Sequence, residues 1–421
     1  MSVDLRRNVA DVVADARSLP FPDGSVEEIL ASDVLEHFNL SESFGLVAEW
    51  RRVLRPGGVL TVRVPNLQEL SRIILEENSD QAIVNIYGGH RWGPAGAWDA
   101  HHTGWTPASL EKLLLHAGFS VESNDLAPNM TVTARVAPNE VRVRRLGLPR
   151  SVTVIVQPGG DLLGLLRCLV ALSTHPPCED FQTVLVDDGT DVAVSSLLAG
   201  LEGDVVIVES GAARGPAQQA NLAASFASGE VLFFLDAAVE VTADWARPLL
   251  RRLETEPDVG IVIPAVGDPR MKGGWSLGGY VTTSPTDEML MVAPVDGELW
   301  TGGQASQYLV VPTEVMAVRR ACLRSVGGFD DGFFSAMDRP ALAAAARQLG
   351  WWTACEPGVG MRIHAGSVHE PDLRASYIDR ARFTERWGQF LESCEGYLGG
   401  PTLRSEYGDV AAAVQLMPAA G

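Results

Sequence analysis

Three strand-length apolar runs constrain the fold of this chain more than any other feature. They are Val152–Val156 in SVTVIVQPGG, Thr183–Val186 in FQTVLVDDGT, and Val231–Leu235 in GEVLFFLDAAVEV. A run that is apolar without alternation reads as a strand buried on both faces, as in a parallel sheet covered by helices. Each run ends in an acid or a glycine turn, where the chain leaves the sheet. Between them, LLGLLRCLVALST at 162–174 is apolar on nearly all sides, as a helix lying on such a sheet would be. VVIV at 205–208 supplies a further strand, and RGPAQQANLAASFAS at 214–228 a further helix that Gly229 breaks. This alternation predicts an open α/β sheet whose ligands sit at the carboxyl ends of the strands, at Asp187-Asp188-Gly189-Thr190 and at Asp236.

A chain of 421 residues is long for one core and comfortable for two. The amino-terminal part also alternates. Val12-Val13 forms a short strand before Ala14-Asp15, and a second strand covers Val26–Ala31. SESFGLVAEWRRVLR at 41–55 has helical periodicity, with Ser41 as its N-cap and Pro56-Gly57-Gly58 as its stop. A strand at 59–65, a helix at 107–117 and a strand from Phe119 complete an α/β pattern with a mostly parallel sheet. Residues 139–150 are polar and basic, a linker or short edge strand. The expected domains are 1–138 and 151–390, with an Ala-rich tail at 391–421 that frays.

Net charge is −20 with a pI near 4.8, which repels nucleic acid and anionic lipid. Arg142, Arg144, Arg145 and Arg150 form the densest basic cluster and read as a solvated linker. Cys168, Cys178, Cys322, Cys355 and Cys394 show neither a CxxC pair nor regular spacing, as reduced thiols would. No apolar stretch approaches membrane-spanning length, so a cytoplasmic protein without a transmembrane segment is expected. Peripheral contact with a membrane-borne acceptor stays open.

In order and spacing, residues 150–390 resemble a GT-A glycosyltransferase of the large inverting family 2. The resemblance implies that Asp187-Asp188-Gly189-Thr190 holds the base and ribose of a nucleotide sugar, UDP-, GDP- or dTDP-linked. The helix after the third strand, with Arg214, Gly215 and Asn221, would lie over the phosphates, where a helix start suits an anion. The family's D-x-D metal motif is Asp236-Ala237-Ala238 here, with Glu240 two residues on, so Mg²⁺ or Mn²⁺ would rest on Asp236 and be held weakly. The acceptor-side block corresponds to VMAVRRACLRSVGGFDDGFFSAMDRPALA, in which the E-D-x-D-L acids become Asp338-Arg339-Pro340-Ala341. Asp338 is then the one obvious general base; alternatively, with Pro340 two residues on, it is an N-cap. His364 in HAGS resembles the histidine that closes the family's site. Trp275, Tyr280, Trp300 and Tyr308 lie in a glycine-rich stretch, read as a packed loop or an aromatic platform for the acceptor.

Residues 3–119 resemble the middle and late motifs of class I S-adenosylmethionine-dependent methyltransferases. That resemblance places Asp4 at the ribose position, Asp15-Ala16 beside the adenine, and Glu36-His37 on the cofactor side. The glycine-rich turn that should precede Asp4 is absent from the sequence, along with the central strand leading into it. The cofactor is therefore not expected to bind, and the site is a vestige unless another chain, a second copy or a longer amino terminus completes the sheet. His90, His101 and His102 read as loop packing or an acceptor-loop remnant, because adjacent histidines in an extended loop point apart. The leading expectation is inverting sugar transfer to an unknown acceptor. The alternative is a catalytically inactive scaffold or regulator of the same descent, and a working methyltransferase is a minor third.

Overall fold

The computed structural model describes residues 1–4, 10–89, 99–137, 141–143, 150–158, 162–189, 191–201, 205–210, 215–268, 275–284, 289–296, 310–312, 314–333, 337–356, 361–363 and 373–394. It comprises two compact units, Met1–Glu140 with Ser210–Arg214, and Val141–Glu209 with Gly215–Gly421. No helix among the described residues is long and apolar enough to cross a membrane.

The first unit is built on a four-stranded sheet in the order Val26–Ser32, Leu54–Pro65, Asn129–Val136, Phe119–Asp125. Its first pair is parallel and the other two are antiparallel. The mostly parallel sheet expected from the sequence is therefore a mixed one. The reason is the turn after Asp125, which folds Asn129–Val136 back as a hairpin partner instead of starting a crossover helix. Val3–Asp4 and Val12–Val13 pair with each other as a separate two-stranded parallel sheet. The helix Leu40–Val53 is capped by Asn39, not Ser41. Asn39 accepts from the Glu42 amide at 2.9 Å while Glu42 accepts from the Asn39 amide at 3.2 Å, a reciprocal capping box. That helix ends at Val53, and Pro56-Gly57-Gly58 lies inside the following strand, with Gly57 at φ +74°. Leu46, Val47 and Trp50 from this helix pack with Leu60, Val62, Leu110, Phe119 and Val132 in the core.

The second unit holds an eight-stranded sheet in the order Trp352–Glu356, Val259–Pro264, Val315–Arg319, Val231–Asp236, Val152–Gln157, Phe181–Asp187, Val205–Ser210, Val141–Val143. The run from Val231–Asp236 to Val205–Ser210 is parallel, and Val315–Arg319 enters antiparallel. Val141–Val143, in the stretch read as a linker or edge strand, is that sheet's edge strand. One core joins the sheet to helices Pro216–Phe226, Asp338–Gln348 and Leu373–Ser393. The other joins it to Leu162–Thr174, Val192–Gly200 and Arg247–Thr255. Covering both faces is what the unbroken apolar strands require.

A second sheet of this unit contains Trp275–Thr283 and Leu290–Asp296 as an antiparallel pair. Part of the stretch expected as a packed loop is thus a hairpin. Its β-branched residues outweigh its glycines in strand preference. Arg319-Arg320 serves the scaffold. Arg319 donates to the Val259 and Leu253 carbonyls, and buried Arg320 donates to those of Gly229 and Ala227, closing the end of helix Pro216–Phe226.

Candidate functional site

The parallel strands of the second unit bring their carboxyl ends to one edge. Gln157 pairs in register with Asp236, and Asp187 with Glu209. Beyond Asp187 the chain turns sharply at Gly189, which has φ +71°, a left-handed conformation suited to glycine. Asp187 is buried, and its Oδ1 accepts from the Gly189 amide at 3.1 Å and the Ser195 hydroxyl at 2.7 Å. Its carboxylate therefore shapes the turn. Asp188 is less buried and accepts from the Gln219 side chain at 2.8 Å, tying the turn to helix Pro216–Phe226.

Gly215 is the N-cap of that helix and Pro216 opens it, leaving the first-turn amides without a side-chain cap. The Gln157 side chain donates to the Pro216 carbonyl at 3.0 Å, and Arg339 donates to Gln157 Oε1 at 2.8 Å. One hydrogen-bonded chain thus links the start of helix Asp338–Gln348, the end of strand Val152–Gln157 and the start of helix Pro216–Phe226.

Asn221, expected over the phosphates, is engaged elsewhere. Its amide donates to the Phe329 carbonyl and accepts from the Phe329 N–H, both at 2.8 Å. It pins the Gly327-Gly328-Phe329 turn, where both glycines have positive φ. Arg214, Thr190 and His364 lie outside the described residues, as do Trp300, Tyr308 and the side chain of Trp275. Tyr280 is half-buried and packs against the core.

Asp236 ends its strand half-buried. Its Oδ1 accepts from the Ala238 amide at 2.8 Å, closing a tight turn. Glu240 lines a cleft with Arg167 and His175 beside helix Leu162–Thr174.

Asp338 is the first residue of helix Asp338–Gln348, and the N-cap position belongs to Met337. The capping alternative therefore does not hold. The side chain is 3% exposed. Burial pushes its carboxyl up to about 6, against the pull of the adjacent Arg339 guanidinium. Asp379, fully buried on helix Leu373–Ser393, lies close enough to disfavour the ionised form further. Sequence reasoning missed Asp379: it sits 41 positions downstream of Asp338 in a helix with no acidic motif.

In the first unit, Asp4 ends the strand Val3–Asp4, and its carbonyl accepts from the Ala14 amide at 3.2 Å. Asp15 is engaged by Arg17, which donates from Nε and from Nη2 at 2.7 Å while reaching Glu42 at 2.6 Å with Nη1. These bonds hold the Asp15 carboxyl below its usual range. Glu36 is 1% exposed, neither carboxylate oxygen has a hydrogen-bond partner among the described residues, and burial pushes it up to about 7. Its neighbours are His37 and His101, whose rings meet edge to face with centroids 5.0 Å apart. His101, read as loop packing, therefore faces a specific cluster. Desolvation, then the neighbouring His37, lowers its pKa. His102 joins through its backbone, donating from its amide to the Glu36 carbonyl at 2.8 Å. His90 lies outside the described residues.

Comparison with known proteins finds a match within each unit. Residues 161–291 match Glycosyl transferase family 2, and residues 3–62 match the Methyltransferase domain family. A "Probable N-acetylgalactosaminyltransferase 6" of Caenorhabditis elegans is 28% identical over 191 residues, 42% of this chain and 30% of the relative. A "Pre-mycofactocin glycosyltransferase" of Mycobacterium tuberculosis is 26% identical over 232 residues, 55% of this chain and 44% of the relative. The chain thus spans less than half the length of either. A "Probable S-adenosylmethionine-dependent methyltransferase" of Mycolicibacterium smegmatis is 35% identical over 104 residues, 25% of this chain and 32% of the relative. Among solved structures, a mannosyltransferase of Pyrobaculum calidifontis in complex with GDP-Man and Mn²⁺ aligns with TM-score 0.41 at 19% identity, covering 58% of this chain and 65% of that one. The second unit thus contains a segment similar to glycosyl transferase family 2, and the first a segment similar to the Methyltransferase domain family.

Proposed function

We propose that the second unit binds a nucleotide sugar at the carboxyl edge of its parallel strands and transfers the sugar, with inversion, to an acceptor hydroxyl. The observation that supports this reading most is the hydrogen-bonded chain Arg339–Gln157–Pro216, together with the Gln219–Asp188 bond. It ties Asp188, the start of helix Pro216–Phe226 and the start of helix Asp338–Gln348 to the end of strand Val152–Gln157. Asp188 receives the nucleoside, and Asp187 fixes the turn that presents it. The uncapped first turn of helix Pro216–Phe226 faces the diphosphate, with Arg214 before it as a cation. His364 closes the site over the diphosphate.

Asp338 accepts the proton of the acceptor hydroxyl as the oxygen attacks the anomeric carbon. The bond to the nucleoside diphosphate breaks on the opposite face and its electron pair leaves with the phosphate. Arg339 positions Asp338 by anchoring the helix start to Gln157, and it stays protonated at any working pH, so it cannot replace the base. The donor set at Asp236 fits a divalent Mg²⁺ or Mn²⁺ ion that is already carried by a diphosphate, because one carboxylate oxygen remains after the turn bond to Ala238. Asp236 would hold such an ion, which would supply charge neutralisation at the leaving phosphate.

Calorimetric titration of UDP, GDP and dTDP into wild type and Asp188→Ala tests the binding half. One of the three should bind wild type, and the variant should bind it 10- to 100-fold more weakly, roughly 1.4–2.8 kcal/mol. Equal affinity of both proteins for every nucleotide would remove Asp188 from the site. The turn that Asp236 closes with the Ala238 amide favours a second reading, a nucleotide-binding protein that does not release the sugar.

A further inference from the structure

We infer that Glu36, His37 and His101 form a binding site for a single divalent transition-metal ion, with Zn²⁺ as the ion that best suits the ligand set. One ligand atom from each residue lies within 4.8 Å of those of the other two. Tetrahedral Zn²⁺ with bonds of about 2.0–2.1 Å separates its ligands by roughly 3.4 Å, so small side-chain rotations bring the three onto one ion.

The hydrogen bonds prepare the histidines for this. His37 Nδ1 lies 3.0 Å from the Ala100 carbonyl, and His101 Nδ1 lies 3.2 Å from the Ile86 carbonyl. A carbonyl only accepts, so each Nδ1 carries the proton and each Nε2 keeps its lone pair. An imidazole whose other nitrogen donates to a backbone carbonyl is the usual orientation device of a metal-ligating histidine. Glu36 supplies an independent sign. Both its carboxylate oxygens are buried, with no hydrogen-bond partner among the described residues. A buried carboxyl in this state costs stability unless something compensates it. A cation held between Glu36 and the two imidazoles compensates it directly.

The ligands come from two distant segments. Glu36 and His37 sit in the short 3-10 turn after strand Val26–Ser32. His101 follows the bridge of Gly88 with Ala100, close to the end of helix Asp80–Tyr87. The ion would staple these segments together. Two imidazoles and one carboxylate favour Zn²⁺ and its first-row neighbours over Mg²⁺ or Ca²⁺, which prefer all-oxygen ligands. Three protein ligands leave a fourth position for water or a ligand oxygen. The three ligands belong to the first unit and Asp236 to the second, so the inference does not depend on the sugar-transfer reading.

The test uses the full chain, stripped with chelator and dialysed, then titrated with ZnCl₂ by calorimetry and with CoCl₂ by visible absorption. Wild type should take up one ion per chain and give a Co²⁺ band of tetrahedral intensity. His37→Gln, His101→Gln and Glu36→Gln should each weaken Zn²⁺ binding by on the order of 100-fold or more. Circular dichroism without metal establishes that each variant is folded. If a variant fails to fold, the wild-type cobalt spectrum decides: an octahedral, aqua-like spectrum or no saturable binding overturns the site. Wild-type affinity retained in His37→Gln and His101→Gln overturns it as well, because the ion is then held elsewhere.

Discussion

Replacing Asp338 with Asn should stabilise the second unit at neutral pH while disabling it. Asp338 is buried at the start of helix Asp338–Gln348, and its carboxyl is pushed from its ordinary 3.8 to about 6. Burial is the dominant cause, Arg339 opposes it, and Asp379 reinforces it. The folded state therefore holds this proton over a pH range in which the unfolded chain has released it. Stability consequently falls as pH rises from about 4 to about 6 and is level above that. A shift of roughly two units corresponds to roughly 3 kcal/mol, of which about 2 kcal/mol is lost between pH 4.5 and pH 7.5. Asn keeps the shape and an acceptor oxygen but does not ionise. Urea unfolding of both proteins, followed by tryptophan fluorescence at several pH values, measures the difference. The variant's advantage should widen by about 2 kcal/mol between pH 4.5 and 7.5. A gap that stays constant with pH, or a wild type that gains from this group as pH rises, would refute the argument that burial controls Asp338.

Two further outcomes concern the scaffold beneath the site. Gly229→Ala should cost about 1–3 kcal/mol in the same urea assay, since a Cβ there would stand 2.5 Å from the Thr153 nitrogen and 2.7 Å from the Val152 carbonyl carbon. Asn221→Ala should cost about 1–3 kcal/mol by unpairing the Phe329 backbone groups, and Asn221→Asp, which keeps the acceptor alone, should fall between.

The strand–helix order of the second unit was legible because its strands are apolar on both faces, a signal no surface element imitates. Asp187 and Asp188 were found because they end such a strand. Their division of labour was not legible, since it depends on Ser195 and Gln219 meeting them in space. Asn221 kept its place in the helix pattern but is bonded to Phe329, 108 residues away. Glycines in 264–310 masked the hairpin of Trp275–Thr283 and Leu290–Asp296. In the first unit, the missed strand Asn129–Val136 turned an expected parallel sheet into a mixed one. The histidines were judged by adjacency in sequence, with His101 beside His102. The fold instead sets His101 against His37 and the buried Glu36, 64 and 65 positions away. Burial of one acid, invisible in composition, is what makes that cluster chemically distinctive.

Donor turnover tests the sugar-transfer account most directly. Purified wild type and Asp338→Asn would be supplied with UDP-, GDP- and dTDP-sugars, Mn²⁺ and candidate acceptor alcohols, and release of nucleoside diphosphate would be followed. Wild type should turn over one donor class. Asp338→Asn should be slower by about 100- to 10,000-fold at unchanged nucleotide affinity, the loss expected for a positioned general base. A wild type that binds the nucleotide yet never releases sugar to acceptor or water, or a variant that turns over as fast as wild type, would contradict the account.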